Sequence, residues 1–300
     1  MNIERRGFTL IELVAVVGVM ILSLSFLMPS YSITRRRAQS SVCMSNLRQL
    51  AHGWHMYADA NNDVALPGRF GNEQGGTSNP NNWYDVGNGS KYRPRWVATM
   101  GTHVGIFAFN QPSTEDDRQD YDSRVYACPT VADRIDERNY AYGYNHQFLG
   151  NARKTNGRFH NFPVPRTRIR SFAGTVLAAD SMGTAAGLSI DERQPYDNGG
   201  TDDAQVGNHA WTLDPPRLTA TSDHGTGESN SPRTAVDPRH AGQANLVFCD
   251  GHAETLDPYD VGYRLLPDGA YVDLESVDDP PSNRFFSGSG WDDDPPDLPQ

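Results

Sequence analysis

The stretch that decides the fold stands at the start of the chain and reads Arg5-Arg6-Gly7-Phe8-Thr9-Leu10-Ile11-Glu12, followed by an almost uninterrupted apolar run from Leu13 to Met28. From Phe8 to Met28 there are about twenty residues, the length that a helix needs to cross a hydrocarbon core of roughly 30 Å. The length predicts a transmembrane helix over residues 8–30. A carboxylate inside such a segment costs roughly 2.5 to 3.5 kcal/mol on insertion scales, so Glu12 is the first candidate for a functional residue.

Two export signals compete with a retained helix. A secretory signal has a basic start, an apolar centre and a small-residue cleavage site, but no A-x-A-like site follows this run and the apolar part is too long. A twin-arginine signal suits Arg5-Arg6, but the leader is very short and again no signal-peptidase site follows. The sequence therefore favours a helix that stays in the chain.

The six residues from Gly7 to Glu12 match the type IV prepilin signature in order, and this part of the chain resembles that family. The resemblance implies that residues 1–7 are a leader, that prepilin peptidase cuts between Gly7 and Phe8, and that the new amine of Phe8 is methylated. Pro29 stands where pilins of this kind often carry a helix-kinking proline.

The resemblance also implies an orientation. The lysine and arginine bias does not decide it, because Arg5-Arg6 precede the span and Arg35-Arg36-Arg37 follow it. The cleavage signature requires a cytoplasmic N-terminus and a single pass through the inner membrane before assembly. Everything after about Tyr31 is then expected on the periplasmic or extracellular side.

Glu12 has an assembly role under this resemblance. A filament built from such helices would hold its carboxylate at low dielectric, where it needs a cationic partner, and the Phe8 amine of a neighbouring subunit supplies one. Other pilin-like subunits are therefore expected partners. The alternative is a carboxylate that only reaches out to the membrane interface near the start of the helix.

The length and composition indicate a large exported domain after the N-terminal helix. The chain has 300 residues and a formal net charge of −11, with 28 glycines and 20 prolines. About 240 residues remain beyond the anchor, enough for one sizeable core or two small ones. The acidic balance disfavours nucleic acid as a partner, because phosphate binding needs a basic face.

Beyond Pro29 the helix is predicted to continue as an amphipathic segment over 31–62, which ends near Asn61-Asn62-Asp63. Its apolar stripe recurs at three- and four-residue spacing: Cys43, Leu47, Leu50, Trp54 and Tyr57. Strands are predicted at 125–129, 140–145, 175–180, 244–249 and 253–256, the last two forming a hairpin at Asp250-Gly251.

These elements predict an α+β, pilin-like fold. A long N-terminal helix, first transmembrane and then amphipathic, packs on the antiparallel sheet of a globular domain over 63–277. Residues 181–238 are rich in Gly, Asp, Ser, Thr and Pro, and we expect a surface loop insertion there. The acidic, proline-rich tail 278–300 is expected to remain mostly unfolded.

A second resemblance is carried by His240, which precedes Asp250-Gly251 by nine intervening residues. The segment 240–251 resembles the H-X9-DG element of a family of prepilin-type bacterial proteins. Four further segments resemble landmarks of that family in the same order: 46–50, 128–129, 142–145 and 176–180.

Two interpretations of this motif remain open. In the first, His240 and Asp250, with His252 or Asp180, hold a divalent cation such as Ca²⁺, which related pseudopilins use. In the second, Asp250-Gly251 makes a tight turn and His240 bonds a backbone group. The second is favoured, because histidine is a poor calcium ligand and no dense carboxylate cluster is present. No cofactor is otherwise expected.

The three cysteines allow one disulfide in an exported chain. Cys43 and Cys128 are the favoured pair, because the bond would close a long loop between the helix and the domain. Cys249 would then be a buried free thiol. The alternative is that all three cysteines are reduced.

Two classes of function remain. The leading one is a pseudopilin-like or minor-pilin-like structural subunit of a type II secretion or type IV pilus-like filament. No enzymatic activity is expected, because the sequence lacks a G-x-S-x-G elbow, an H-E-x-x-H helix and a phosphate loop. The second is a membrane-anchored module that binds a glycan or a secreted protein through aromatic residues in its loops, namely Trp83, Tyr84, Tyr92 and Trp96.

Overall fold

A single long helix, α1, runs from Leu10 to Ala60. The computed structural model describes residues 7, 9–150, 153–155, 158–160, 164–219, 222, 232–272 and 279–296. At 1.5 Å per residue α1 is about 77 Å long. The two expected segments, 8–30 and 31–62, thus share one helix that is continuous through Pro29.

Both ends of α1 follow local sequence rules. The Thr9 hydroxyl accepts a hydrogen bond from the Glu12 N–H at 3.3 Å, and the Glu12 carboxylate accepts from the Thr9 N–H at 2.8 Å. This reciprocal pair is a capping box. At the far end, Asn62 and Asp63 have φ of 56° and 63°, in the left-handed region, where the helix cannot continue.

The first half of α1 has an unusual surface. Between Leu10 and Leu24 its large apolar side chains are 45 % to 81 % exposed. Within the described part of the chain, no helix meets both the length and the apolarity that a membrane crossing needs. The expected span 8–30 includes Phe8 and the side chains of residues 26–30, which lie outside that part.

The described residues form eight strands in three antiparallel groups. They are β1 (Trp83–Asp85), β2 (Ser90–Tyr92), β3 (Tyr142–Tyr144), β4 (Arg153–Thr155), β5 (Arg158–His160), β6 (Val176–Asp180), β7 (Ala244–Phe248) and β8 (Ala253–Leu256). The main sheet has the order β3-β6-β7-β8, while β1 pairs with β2 and β4 with β5. The fold is therefore α+β, as predicted.

Short helical turns connect these strands. Three are α-helical: α2 (Trp96–Thr99), α3 (Gly101–Val104) and α4 (His146–Leu149). The others are 3₁₀ turns: Gly76–Ser78, Pro80–Asn82, Arg124–Tyr126, Pro129–Val131, Arg166–Arg168, Phe172–Gly174, Gly183–Gly187 and Ile190–Glu192.

The main sheet is covered on both faces. The second half of α1 packs on one face, where its stripe meets Leu177 of β6 and Val247 of β7 in one apolar cluster. A second cluster joins Val176 and Phe248 of the same strands to residues from the long loops. Two-sided burial explains why every residue of β6 and β7 is buried.

The strand predicted at 125–129 is wrong. The chain there forms two 3₁₀ turns on either side of Ala127. The carbonyls of this segment bond to α1 and not to a neighbouring strand. The side-chain amide of Asn46 on α1 donates to the carbonyls of Arg124 and Ala127 at 3.2 and 2.8 Å. The other predicted strands are confirmed with shorter or equal bounds.

The long loop and the tail differ from expectation in the same way. In 181–238, Trp211, Leu213 and Val236 are buried, so parts of this segment belong to the core, whereas residues 187–204 lie at the surface as expected. In the tail, Phe286 is fully buried. A small number of large apolar residues hold both segments in the core. The average composition of each segment is polar and does not reveal them.

A disulfide joins Cys43 of α1 to Cys128, the pair that the sequence favoured. Cys249 is a buried free thiol. Burial raises the pKa of the Cys249 thiol, with a further contribution from Asp250, so this sulfur is held in its neutral form. The disulfide fastens the middle of α1 to the loop that precedes the sheet.

We predict that Cys128→Ser lowers the free energy of unfolding by about 4 to 5 kcal/mol, since the disulfide closes a long loop in the chain-entropy model. The sequence separation it spans is 85 residues. Urea unfolding of the full chain in detergent micelles measures the loss. Cys249→Ala is the matched control, and an equal loss in both variants would contradict the account.

Candidate functional site

The motif histidine lies in a buried polar cluster, here called the Asp180 cluster. It consists of Asp180 at the end of β6, Arg239 and His240 in the loop before β7, and the disulfide that joins Cys43 of α1 to Cys128. The side chain of Asp180 has no exposed surface, and those of Arg239 and His240 are 6 % and 4 % exposed. The cluster therefore lies where helix, sheet and loop meet.

The Asp180 carboxylate is fully partnered. Its Oδ1 accepts a hydrogen bond from Nη2 of Arg239. Its Oδ2 accepts from the Asn245 backbone N–H at 2.8 Å and lies 3.1 Å from Nε2 of His240. A buried carboxylate is stable only with such a set of charged and hydrogen-bonded partners.

Arg239 connects the cluster to its surroundings. Its guanidinium donates to the Ala141 carbonyl at 2.8 Å and pairs with Asp237 at 3.2 Å. Burial alone would lower the pKa of Arg239, but the carboxylates of Asp180 and Asp237 outweigh it and raise the pKa above the usual value. Arg239 is therefore a permanent cation inside the fold.

A tight turn aims His240 at this cluster. The His240 N–H donates to the Gln243 carbonyl at 2.9 Å, and the two residues between them, Ala241 and Gly242, have φ of 60° and 86°. The geometry turns the chain into β7 and directs Nε2 of His240 to within 3.9 Å of the Cys128 sulfur. His240 thus touches both the carboxylate and the disulfide.

The second half of the motif lies elsewhere. Strand β7 separates His240 from Asp250, and its five residues extend about 16 Å. Asp250 bonds Nδ1 of His252 at 2.5 Å in the exposed turn between β7 and β8, where Gly251 has φ of 90°. The four weak metal candidates therefore form two pairs, Asp180 with His240 and Asp250 with His252.

The Asp180 cluster also meets the distance requirements of a metal centre. One donor atom from each of Cys43, Cys128, Asp180 and His240 lies within 4.8 Å of the others. With the two sulfurs bonded to each other, the carboxylate and the imidazole are the donors that remain, and Arg239 and Asn245 already engage the carboxylate. Calcium takes six to eight oxygen ligands, which this group does not offer.

Asn245 is a site residue that the sequence analysis missed. Its Oδ1 accepts hydrogen bonds from the hydroxyls of Ser40 on α1 at 3.0 Å and Thr255 on β8 at 2.6 Å. Its backbone N–H holds Asp180. The signal was available, because an asparagine inside the apolar run Ala244–Phe248 must bond inside the core.

A cleft of about 580 Å³ leads to the cluster from the surface. Arg36 and Arg37 of α1 line one side, and Arg239 and His240 line the other. The cleft is cationic in a chain of negative net charge. It reaches His240 at the point where α1 leaves the domain.

The residues at which processing is expected are described only in part. Gly7 is exposed, and Phe8 lies outside the described residues. Glu12 belongs to the capping box with Thr9. The sequence contained the signal for this box, a threonine followed three residues later by glutamate, which gives Glu12 a local role besides the assembly role and the interface alternative considered above.

The aromatic loop residues do not act as one group. Trp96 is fully buried and stacks on Tyr144 with ring centroids 5.3 Å apart, so it belongs to the core. Trp83 and Tyr92 are half-buried with centroids 5.6 Å apart. Tyr84 stacks on Phe70.

No protein-family model, curated protein or solved structure matches this chain. The two resemblances therefore rest on the motifs themselves.

We predict that Asp180→Ala lowers the free energy of unfolding by about 3 to 5 kcal/mol, because it removes a principal counter-charge of the buried Arg239. Asp250→Ala is the matched control, since its exposed pair with His252 contributes about 1 kcal/mol or less. Urea unfolding of the full chain in detergent measures both. Similar losses in the two variants would show that Asp180 is not the centre of the cluster.

Proposed function

We propose that this chain is a pilin-like subunit, processed by prepilin peptidase and anchored in the inner membrane. Its first helix enters a type II secretion or type IV pilus-like filament, and its globular domain lies in the periplasm or outside the cell. The observation that carries the proposal is the division of α1 into an apolar half without cover and a half that is packed on the domain.

The apolar half of α1 requires an apolar environment that the single chain does not supply. From Leu10 to Leu24 the large apolar side chains on all sides of the helix are exposed. A helix that is apolar all round is stable inside lipid or inside a bundle of similar helices. A pilin-like subunit meets both environments, first in the membrane and then in the filament.

The packed half supports a rigid connection to the domain. The side chains of Cys43, Leu47 and Trp54 have no exposed surface, and the disulfide begins at Cys43. A helix fixed in this way positions the domain relative to the filament axis. The combination of this helix with an antiparallel sheet agrees with a pilin-like fold.

Glu12 is the residue that we propose for subunit register. It is the only acidic residue between Gly7 and Tyr31. Its capping box with Thr9 uses the carboxylate inside one chain. After cleavage at Gly7, the Phe8 amine of a neighbour would add a charge partner that the capping box lacks, which favours assembly over the isolated subunit.

Crosslinking through α1 in native membranes tests this role, and three variants separate the charge from the cap. Glu12→Ala removes both, Glu12→Gln keeps a hydrogen-bond acceptor without the charge, and Thr9→Ala removes the cap hydroxyl but keeps the charge. We predict that both Glu12 variants are inserted and cleaved but lose the crosslinked ladder, whereas Thr9→Ala keeps it.

A ladder of normal length in Glu12→Gln would remove the charge from the mechanism. Loss of the ladder in Thr9→Ala with a normal ladder in Glu12→Gln would assign the effect to the cap.

A second candidate is a membrane-anchored module that binds a glycan or a secreted protein. A cleft of about 540 Å³ supports it, with Trp83 beside the polar side chains of Asn88, Ser90, Asn110 and Gln111. An aromatic face next to amides suits sugar binding. The crosslinking experiment separates the candidates, since only an assembling subunit gives ladders that depend on Glu12.

A further inference from the structure

A second polar group, here called the Arg95 site, lies away from the Asp180 cluster. It consists of Arg95, Arg138, His209 and Trp211, and Nε of Arg138 donates a hydrogen bond at 3.1 Å to Oδ1 of Asn208, the residue before His209. Arg95 comes just before α2, whereas His209 and Trp211 belong to the long segment 181–238. The guanidinium carbon of Arg95 lies 4.9 Å from the centroid of the Trp211 ring.

Positive charge is concentrated at this site. Burial lowers the pKa of His209 well below its usual value, and the guanidinium groups of Arg138, Arg95, Arg69 and Arg118 lower it further. His209 is therefore a neutral imidazole surrounded by cations. The chain as a whole carries a formal charge of −11, so this local excess runs against its composition.

The nearby carboxylates of Glu137 and Asp136 attract Arg95, but each has a closer cationic partner. Asp136 pairs with Arg118 at 2.6 Å, and Glu137 lies 3.6 Å from the Lys91 ammonium. Asp203 accepts a hydrogen bond from the Asn208 amide at 3.1 Å. Among the described residues, neither Arg95 nor Arg138 forms an ion pair with a carboxylate.

Several hydrogen-bonding atoms of the site lack partners. Nε of Arg95, Nε1 of Trp211 and Nδ1 of His209 are buried and make no hydrogen bond with the described residues. Trp211 is 5 % exposed, while Arg95, Arg138 and His209 are half-buried. Buried N–H groups and cations are costly without partners, so the site is incomplete as it stands.

We propose that the Arg95 site binds an oxyanion, that is, a carboxylate, sulfate or phosphate group. The planar guanidinium fork of Arg95 matches two oxygens of such a group, and Arg138 supplies a second positive charge. The indole N–H of Trp211 and the imidazole of His209 add directional hydrogen bonds. This inference does not depend on filament assembly.

Thermal unfolding of the full chain in detergent micelles tests the site. Sodium sulfate, sodium phosphate and sodium galacturonate are each titrated against sodium chloride of equal ionic strength. A ligand that binds the native state raises the melting temperature with the logarithm of its concentration. Sulfate and phosphate also stabilise proteins in general, so the difference from a variant is the measure of binding.

Arg95→Gln is the central variant and Arg284→Gln, at an exposed arginine, is its matched control. We expect at least one of the three anions to raise the melting temperature of the wild type and of Arg284→Gln but not of Arg95→Gln.

The three anions distinguish the ligand source. A response to galacturonate indicates a carboxylate sugar, and a response to sulfate or phosphate alone indicates an inorganic or esterified oxyanion. If Arg95→Gln does not fold, Trp211→Phe keeps the ring under the guanidinium, removes its N–H and should weaken binding severalfold. Equal responses in wild type and variant, or no response beyond chloride, would overturn the proposal.

Discussion

The fastening of α1 to the sheet is the constraint on which the rest of the structure depends. Asp180 ends the central strand β6, and its carboxylate is held by Arg239, His240 and the backbone of β7. The disulfide beside His240 adds a covalent link from this point to α1. Because a buried carboxylate is costly without these partners, the cluster favours the observed arrangement of the sheet and the loop before β7, and the disulfide ties α1 to it.

Because α1 is attached to the domain at only one end, its two halves lie in different environments. Beyond Cys43 the stripe of α1 is covered by the sheet, while from Leu10 to Leu24 nothing in the described chain covers the apolar side chains. Because α1 is fixed to the domain at one end and apolar at the other, burial of its apolar half in a membrane or a filament also sets the position of the domain. That is the mechanical requirement for a filament subunit, and it is the physical reason for the function proposed above.

The sequence predicted the elements whose pattern is local. The stripe from Cys43 to Trp54 and the hairpin at Asp250-Gly251 follow from period and turn chemistry, and both are present. Of the contacts made across the chain it predicted the Cys43–Cys128 disulfide, and it named Asp180 only as one possible partner of His240; the contact of Arg95 with Trp211 it did not predict. His240 and Asp180 are sixty residues apart, and Arg95 and Trp211 more than a hundred. No rule of local sequence spacing predicts such pairs. The low apolar content of residues 181–238 gave no indication that part of this segment is buried.

The most direct test of the account is mass spectrometry of the N-terminal peptide of the protein isolated from native membranes. We predict that the chain begins with Phe8, that the amine of Phe8 carries a methyl group, and that the apolar half of α1 follows intact. A native chain that begins well beyond residue 30 and is recovered free of the membrane would contradict it.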